Sequence, residues 1–163
     1  MTSELSESER ERYGSQIERG LGAEGQLRLK RSRAIVIGAG AAGSAAAAEL
    51  ASRGVGYVAV VDGAAIALRD LAGQAVYYTP DVGQGKADTL AAKLGLLNPE
   101  VQVESYPVSL EAQNASAIVE GHDVVLDCTH DAAVAAALEA AGVKALRRAE
   151  DALRLLSRTE ALA

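Results

Sequence analysis

The sequence predicts an α/β fold of the Rossmann type: an open, mainly parallel sheet with helices on both faces, a short helical arm before it and a helix after it. Three observations predict this. Ala34-Ile-Val-Ile37 is a β-branched run without a polar break, and it leads through Gly38-Ala-Gly-Ala-Ala-Gly43 into a stretch of good helix formers, giving strand, glycine turn and helix in that order. Further short runs rich in β-branched residues recur at Tyr57–Asp62, Val101–Tyr106 and Asp123–Asp127, alternating with helical stretches as in a parallel sheet. Of the 163 residues, 49% are apolar, enough for one domain with a real core, and the 3% of aromatics are all Tyr, so that core must be built from Ala, Val, Leu and Ile.

Taken in order, Met1–Glu11 is polar and reads either as a loose terminus or as the start of a helix. Arg10–Lys30 places Tyr13, Ile17, Leu21, Leu27 and Leu29 at partly helical spacing, interrupted by Gly20, Gly22 and Gly25, which predicts two short helices outside the sheet. The first strand and its helix, from Ser44 to Arg53, end at the turn Gly54-Val-Gly56, and Tyr57–Asp62 forms the second strand. Gly63–Val82 has no clean period, and a loop of that length is usually functional. A helix over Ala87–Leu97 carries Leu90, Leu94 and Leu97 on one stripe and stops at Asn98-Pro99. Val101–Tyr106 is a strand with one wetter face, Leu110–Val119 a helix, Asp123–Asp127 a buried strand and Ala132–Ala141 a helix closed by Gly142. Val143–Ala163 reads as a single helix packed near the sheet edge, with nothing resembling a strand. The expected organisation is an arm over residues 1–30, a nucleotide-binding domain over 31–142 and a helical tail over 143–163.

Composition narrows the function. A formal net charge of −6 argues against general nucleic-acid binding, which draws on a basic surface. No apolar run is long enough to span a bilayer and the N-terminus lacks a charged-then-apolar signal, so the expected location is the cytoplasm. Cys128 is the only cysteine, which leaves no internal disulfide and no expected zinc site; it reads as a small buried residue. His122 reads as a solvated turn residue.

The candidate site begins with the glycines. Gly38 permits a tight turn, Gly40 lets a phosphate approach the backbone and Gly43 allows close packing of helix on strand, while the N–H groups starting the helix face an anion. Asp62, 19 residues beyond Gly43, stands at the spacing of a ribose-binding carboxylate; the alternative is an acid that caps a turn. Lys86, at the start of a helix, opposes the helix dipole; a bound phosphate removes that conflict, and the alternative is a solvated surface lysine. The glycine loop, Asp62 and Cys128–Asp131 all follow strand ends, where ligands of open α/β sheets lie.

With these pieces in place the chain resembles the ThiF/MoeB/HesA family, bacterial relatives of ubiquitin-activating enzymes. The resemblance rests on Arg12-Tyr-Gly-Ser-Gln16, Gly22-Ala-Glu-Gly-Gln26, Val36–Ser44, Gly54-Val-Gly56, Val61-Asp62, Leu71, Gln74, Asp81–Lys86, Leu97-Asn-Pro99 and Asp123–Thr129. It implies ATP and magnesium as cofactors, and adenylation of the C-terminal carboxylate of a ubiquitin-like sulfur-carrier protein, often by a homodimer whose N-terminal arm reaches the neighbouring site. By position it implies that Gly40 and Ala41 touch phosphates, Asp62 holds the ribose, Gln74 lines the site and Lys86 holds phosphate. The chain also departs from that pattern. Ser15 and Gly73 stand where the family has Arg, Asp70 where it has Asn, and His130 where it has an Asp that positions magnesium, with Asp131 one step away as a substitute. One lost transition-state charge contact commonly costs on the order of 10² to 10³ in rate, so the resemblance implies weak or lost catalysis. Two other functions fit the residues: a non-catalytic interaction module on the same fold, and an NAD(P)-binding domain.

Overall fold

The computed structural model describes residues 4–158. The elements are α1 (Glu7–Gln16), α2 (Gly22–Arg31), β1 (Arg33–Ile37), α3 (Ala41–Ser52), β2 (Tyr57–Val61), α4 (Lys86–Leu97), β3 (Gln102–Tyr106), α5 (Ala115–Val119), β4 (Val124–Asp127), α6 (Ala132–Ala140) and α7 (Ala149–Leu156). The strands run parallel in the order β3-β2-β1-β4, with Ile35 opposite both Ala59 and Val125. The chain builds outward from β1 through β2 to β3 and then returns to the other side of β1. That reversal, between β1 and β4, is the topological switch point, where a crevice opens beyond the strand ends.

The period of two along each strand divides the core. Ala34, Val36, Val58, Val60, Val124 and Leu126 face α2, α3, α4 and α7, meeting Leu29, Leu50, Leu90, Leu94 and Leu156. Ile35, Ile37, Tyr57, Ala59, Val61 and Val125 face α5 and α6, meeting Val119, Val134 and Leu138. The expected aliphatic and alanine core is present, with Tyr13, Tyr57 and Tyr77 as its buried aromatics.

The arm starts at a full capping box. Ser6 accepts from the Glu9 N–H at 3.1 Å and its own N–H donates to Glu9 at 2.7 Å, so a helix, not a loose end, begins at Glu7. A wide turn over Ile17–Leu21, with Gly20 at φ 121°, leads to α2. The arm is tied down by a buried polar network. Asn98 donates to Tyr13 Oη at 2.8 Å and to the Ala51 carbonyl at 2.7 Å; Gln26 donates to the Arg53 carbonyl at 3.0 Å and accepts from Gln16. Asn98 and Gln26 are fully buried. Three of the motif stretches read from the sequence, Arg12–Gln16, Gly22–Gln26 and Leu97–Pro99, therefore meet at the end of the sheet away from the glycine loop, where they join α1, α2, α3 and α4.

Three expectations are corrected. The helix expected over Leu110–Val119 forms only over Ala115–Val119. The Asn114 side chain accepts from the Glu111 N–H at 2.8 Å and donates to the Ser109 carbonyl at 2.9 Å, and such local bonds hold the preceding residues in a turn. The tail is not one helix from Val143, and part of it does pair with the sheet. Leu146 forms a parallel bridge to Leu126: its N–H donates to the Val125 carbonyl and its carbonyl accepts from the Asp127 N–H, both at 2.8 Å. Unpaired groups along the β4 edge outweigh the helical preference of the segment, and the helix starts only at Ala149. Its buried face, Ala149, Ala152 and Leu156, packs beside β4 and on α3; the end of the expected helix, 159–163, lies outside the described residues. His122 is half-buried against Tyr57, not solvated, and burial lowers its affinity for a proton.

Candidate functional site

The glycine loop follows β1 as the spacing requires. Gly38 has φ +91°, a region that favours glycine, and a Cβ at Gly43 would stand 1.7 Å from the Gly38 carbonyl oxygen, so α3 can approach the strand only without a side chain there. Gly40 faces open space, with nothing within 4 Å of the position a Cβ would take. No side chain caps α3, so its first N–H groups are left for another acceptor.

Asp62 is built into this loop. Its Oδ2 accepts from the Ala39 N–H and its Oδ1 from the Ala64 N–H, both at 2.8 Å. The capping alternative and a place beside the glycine loop thus coincide in one residue: the carboxylate joins the end of β2 to the turn after β1. Asp62 and Gly38 line a cleft of about 460 Å³ together with Ser109, Glu111, Thr129 and Asp131. The strand ends that the sequence placed side by side do share one crevice.

Ala41 and Gln74 lie on a second cleft, of about 570 Å³, over the exposed side of α3. The Gln74 carboxamide is spent on its own loop: Oε1 accepts from the N–H groups of Val76 and Tyr77 at 2.6 and 2.7 Å, and Nε2 donates to the Tyr77 carbonyl at 2.9 Å. It shapes the wall of the cleft through the backbone. Lys86 and Asp70 line neither cleft. They pair with each other at 3.2 Å, and the Lys86 side chain is only 13% exposed. The surface-lysine alternative is therefore wrong, and the dipole conflict at the start of α4 is answered by Asp70. The Asp70 carboxyl is held below its ordinary value by the Ala67 N–H that it accepts and then by Lys86, against the effect of burial.

Beyond β4, Asp127 Oδ1 accepts from the Thr129 N–H at 3.0 Å and from its hydroxyl at 2.6 Å, and Oδ2 lies 3.2 Å from Arg147. Asp131 caps α6, accepting from the Ala133 N–H at 2.7 Å. His130 is exposed at φ 56°, a conformation uncommon outside glycine and asparagine. Cys128 is buried, and its thiol is pushed up to about 11 by that burial, then by Asp127. Among the described residues no group of three or more His, Cys, Asp or Glu side chains is arranged to hold a metal ion, and no helix is long and apolar enough to cross a membrane.

A family model described as the ThiF family matches residues 13–148. The chain belongs to the ThiF family. It is 42% identical over 127 residues to the adenylyltransferase and sulfurtransferase UBA4 of Vanderwaltozyma polyspora, covering 77% of this chain and 29% of that protein. It is 42% identical over 109 residues to the sulfur carrier protein adenylyltransferase of Thermus thermophilus, covering 67% of this chain and 40% of that protein. The chain thus spans less than half the length of these ThiF relatives. The fold matches that of the E. coli tRNA N6-threonylcarbamoyladenosine dehydratase TcdA in complex with AMP, with TM-score 0.80 at 23% identity over 88% of this chain and 60% of that one. It also matches E. coli MccB with ATP, with TM-score 0.71 at 22% identity over 78% of this chain and 39% of that one. The Rossmann-like nucleotide-binding fold of the ThiF family is the fold of this chain.

Two residues of this ThiF domain escaped sequence reasoning. Tyr77, buried in the loop before α4, donates to the Ala39 carbonyl at 2.7 Å and so ties that loop to the glycine turn; burial raises its phenol pKa. Arg147 reaches Asp127 from the segment expected to be helical. The Tyr77-Tyr78 pair in an aperiodic loop was the one available signal for the first. The second had none, because it depends on where the tail pairs.

Proposed function

We propose that this domain binds an adenine nucleotide at the carboxyl ends of β1, β2 and β4, on a frame inherited from carboxylate adenylation, and that its adenylation chemistry is weak or lost. Support comes from one observation above the others: Asp62, at ribose-binding spacing, is bonded to the Ala39 N–H of the glycine loop and lines a cleft with Gly38 and Thr129, while Gly40, next along the loop, leaves its backbone open. Each Asp62 oxygen keeps a lone pair beyond the N–H that it accepts, which suits a ribose hydroxyl, and the uncapped N–H groups of α3 suit a phosphate. TcdA and MccB, which share the fold, were crystallised with AMP and with ATP.

The acceptor would be the C-terminal carboxylate of a ubiquitin-like sulfur-carrier protein, as the names of the relatives suggest. That carboxylate and the α-phosphate repel, and the site holds little to offset it. Lys86 is neutralised by Asp70, Gly73 presents no cation and Asp131 is committed to capping α6. Magnesium would then arrive on the nucleotide phosphates, because the described residues offer no carboxylate cluster to receive it. A homodimer fits the position of Ser15. It lies by the C-terminal end of α3, a 12-residue helix about 18 Å long, away from the glycine loop of its own chain. An arm from this position therefore serves a neighbour's site better than its own.

A second reading, a non-catalytic interaction module, is favoured by one feature. Leu96, Leu97 and Tyr78 are exposed and line an apolar cleft of about 430 Å³. Melting temperature with ATP and with NAD, each in magnesium buffer, separates the readings. Ligand at 100 times its Kd adds about 2.7 kcal/mol. A rise with ATP alone supports nucleotide binding, no response favours the interaction module, and a rise with NAD alone overturns the adenine-triphosphate reading. Robust carrier-dependent pyrophosphate exchange would contradict weak catalysis.

A further inference from the structure

At the far end of α3 from the glycine loop, a cleft of about 520 Å³ is lined by Arg12, Arg19, Arg53 and Arg154 and, among the described residues, by no acidic one. The four arginines come from different places: α1, the turn after it, the end of α3 and α7. Such convergence is unexpected in a chain of formal charge −6. The dipole of α3 accounts for a cation at Arg53, which caps its C-terminus, but not for the other three.

Their bonding leaves the forks largely open. The Arg19 side chain makes no hydrogen bond or ion pair among the described residues. Arg12 donates once, to the Leu97 carbonyl at 3.3 Å, and Arg53 once, to Gln16 Oε1 at 3.5 Å. Arg154 pairs with Glu150 at 3.0 Å, but both side chains are more than half exposed, and such a pair is worth little and is readily exchanged. A guanidinium has five N–H donors arranged to grip an oxyanion with two at once. The volume lies in the range of small-ligand sites, about 300 to 1,000 Å³, and exceeds what a single phosphate needs.

We infer that this arginine-lined cleft binds a multiply charged oxyanion of the pyrophosphate class, apart from the nucleotide crevice. The ligand offsets the mutual repulsion of four cations for which the described residues supply one exposed counter-charge, Glu150. Within one chain the two lie at opposite ends of α3, so shifts at the arginines and shifts at Gly38–Gly43 are read separately.

The test is a titration of the full chain with pyrophosphate in magnesium-free buffer, followed by ¹H–¹⁵N spectra that include the arginine Nε–H signals. A second arm uses inorganic phosphate at matched ionic strength. Expected are shifts at Arg12, Arg19, Arg53 and Arg154, and affinity about tenfold above that for inorganic phosphate. Affinity should fall about tenfold in the double variant R19Q/R154Q, which alters only exposed side chains, and stay unchanged in K86Q. Shifts confined to Gly38–Gly43, equal affinity for both anions, or undiminished binding in R19Q/R154Q would each overturn it.

Discussion

Lys86 Nζ lies 3.2 Å from Asp70 Oδ2 in a contact that is largely shielded from water. The lysine at the start of α4 is therefore already neutralised, and any phosphate approaching it must compete with a carboxylate fixed by the Ala67 N–H. Asp70→Asn keeps an acceptor for that N–H and removes the charge. Affinity for ATP should rise, by about three- to tenfold, as read by calorimetry. An unchanged Kd would show that Lys86 does not face the nucleotide.

The same pair sets a pH dependence. The Asp70 carboxyl is held below its ordinary value in the folded state. Its contribution to stability is therefore present above the unfolded-state pKa, ~3.9, and is lost as pH falls through the depressed folded value. In D70N this part of the acid sensitivity should be absent, which urea denaturation between pH 7 and the acid range would show.

Gly43 is the most tightly constrained position of the loop. A methyl group there would stand 1.7 Å from the Gly38 carbonyl oxygen. Gly43→Ala should destabilise the fold by roughly 3 kcal/mol or more, because backbone on both sides must move. Thermal denaturation measures it directly, and a loss below about 1 kcal/mol would mean that the approach of α3 is looser than described. Gly73 differs. It has open space but φ +71°, so restoring an Arg there places it in a strained conformation before any phosphate is met.

Asn98 holds the arm to the domain through Tyr13 Oη and the Ala51 carbonyl. Asn98→Ala leaves both acceptors buried without their donor and should cost about 2–3 kcal/mol, against about 1 kcal/mol for Tyr13→Phe, which removes one bond. Urea denaturation of the two variants and their combination would reveal the shared network as non-additivity.

Leu146 tests the corrected tail. Its N–H donates to the Val125 carbonyl, so hydrogen exchange at Leu146 should be slowed to nearly the level of the sheet. The neighbouring Lys144 N–H, which makes no such bond among the described residues, should exchange faster. Equal, fast exchange at both positions would contradict the strand pairing.

How much the sequence disclosed follows the range of the interactions. β1, the glycine turn and α3 were legible because period, glycines and helix formers all act within a few residues. Asp62 was legible by spacing, and it did fall beside the loop. What stayed hidden depends on distant partners. Asn114 turns its own segment with side-chain bonds that compete with the helical pattern over Leu110–Asn114. The pairing of Leu146 is decided by the open edge of β4, about twenty residues upstream. Lys86 was recognised as misplaced for the dipole, but its partner Asp70 lies across an aperiodic loop that no periodicity could fold. Asn98 read as a helix stop, whereas its buried amide holds the arm to the rest of the domain.

The central claim is that an adenine nucleotide sits over the start of α3 with its ribose at Asp62. The most direct measurement is a ¹H–¹⁵N titration with Mg·ATP on the wild type and on Asp62→Ala. The account predicts saturable shifts at Gly40, Ala41 and Asp62 in the wild type, with affinity about tenfold or more weaker in the variant. Saturable ATP binding that leaves these three amides unmoved, or that survives undiminished in Asp62→Ala, would contradict it.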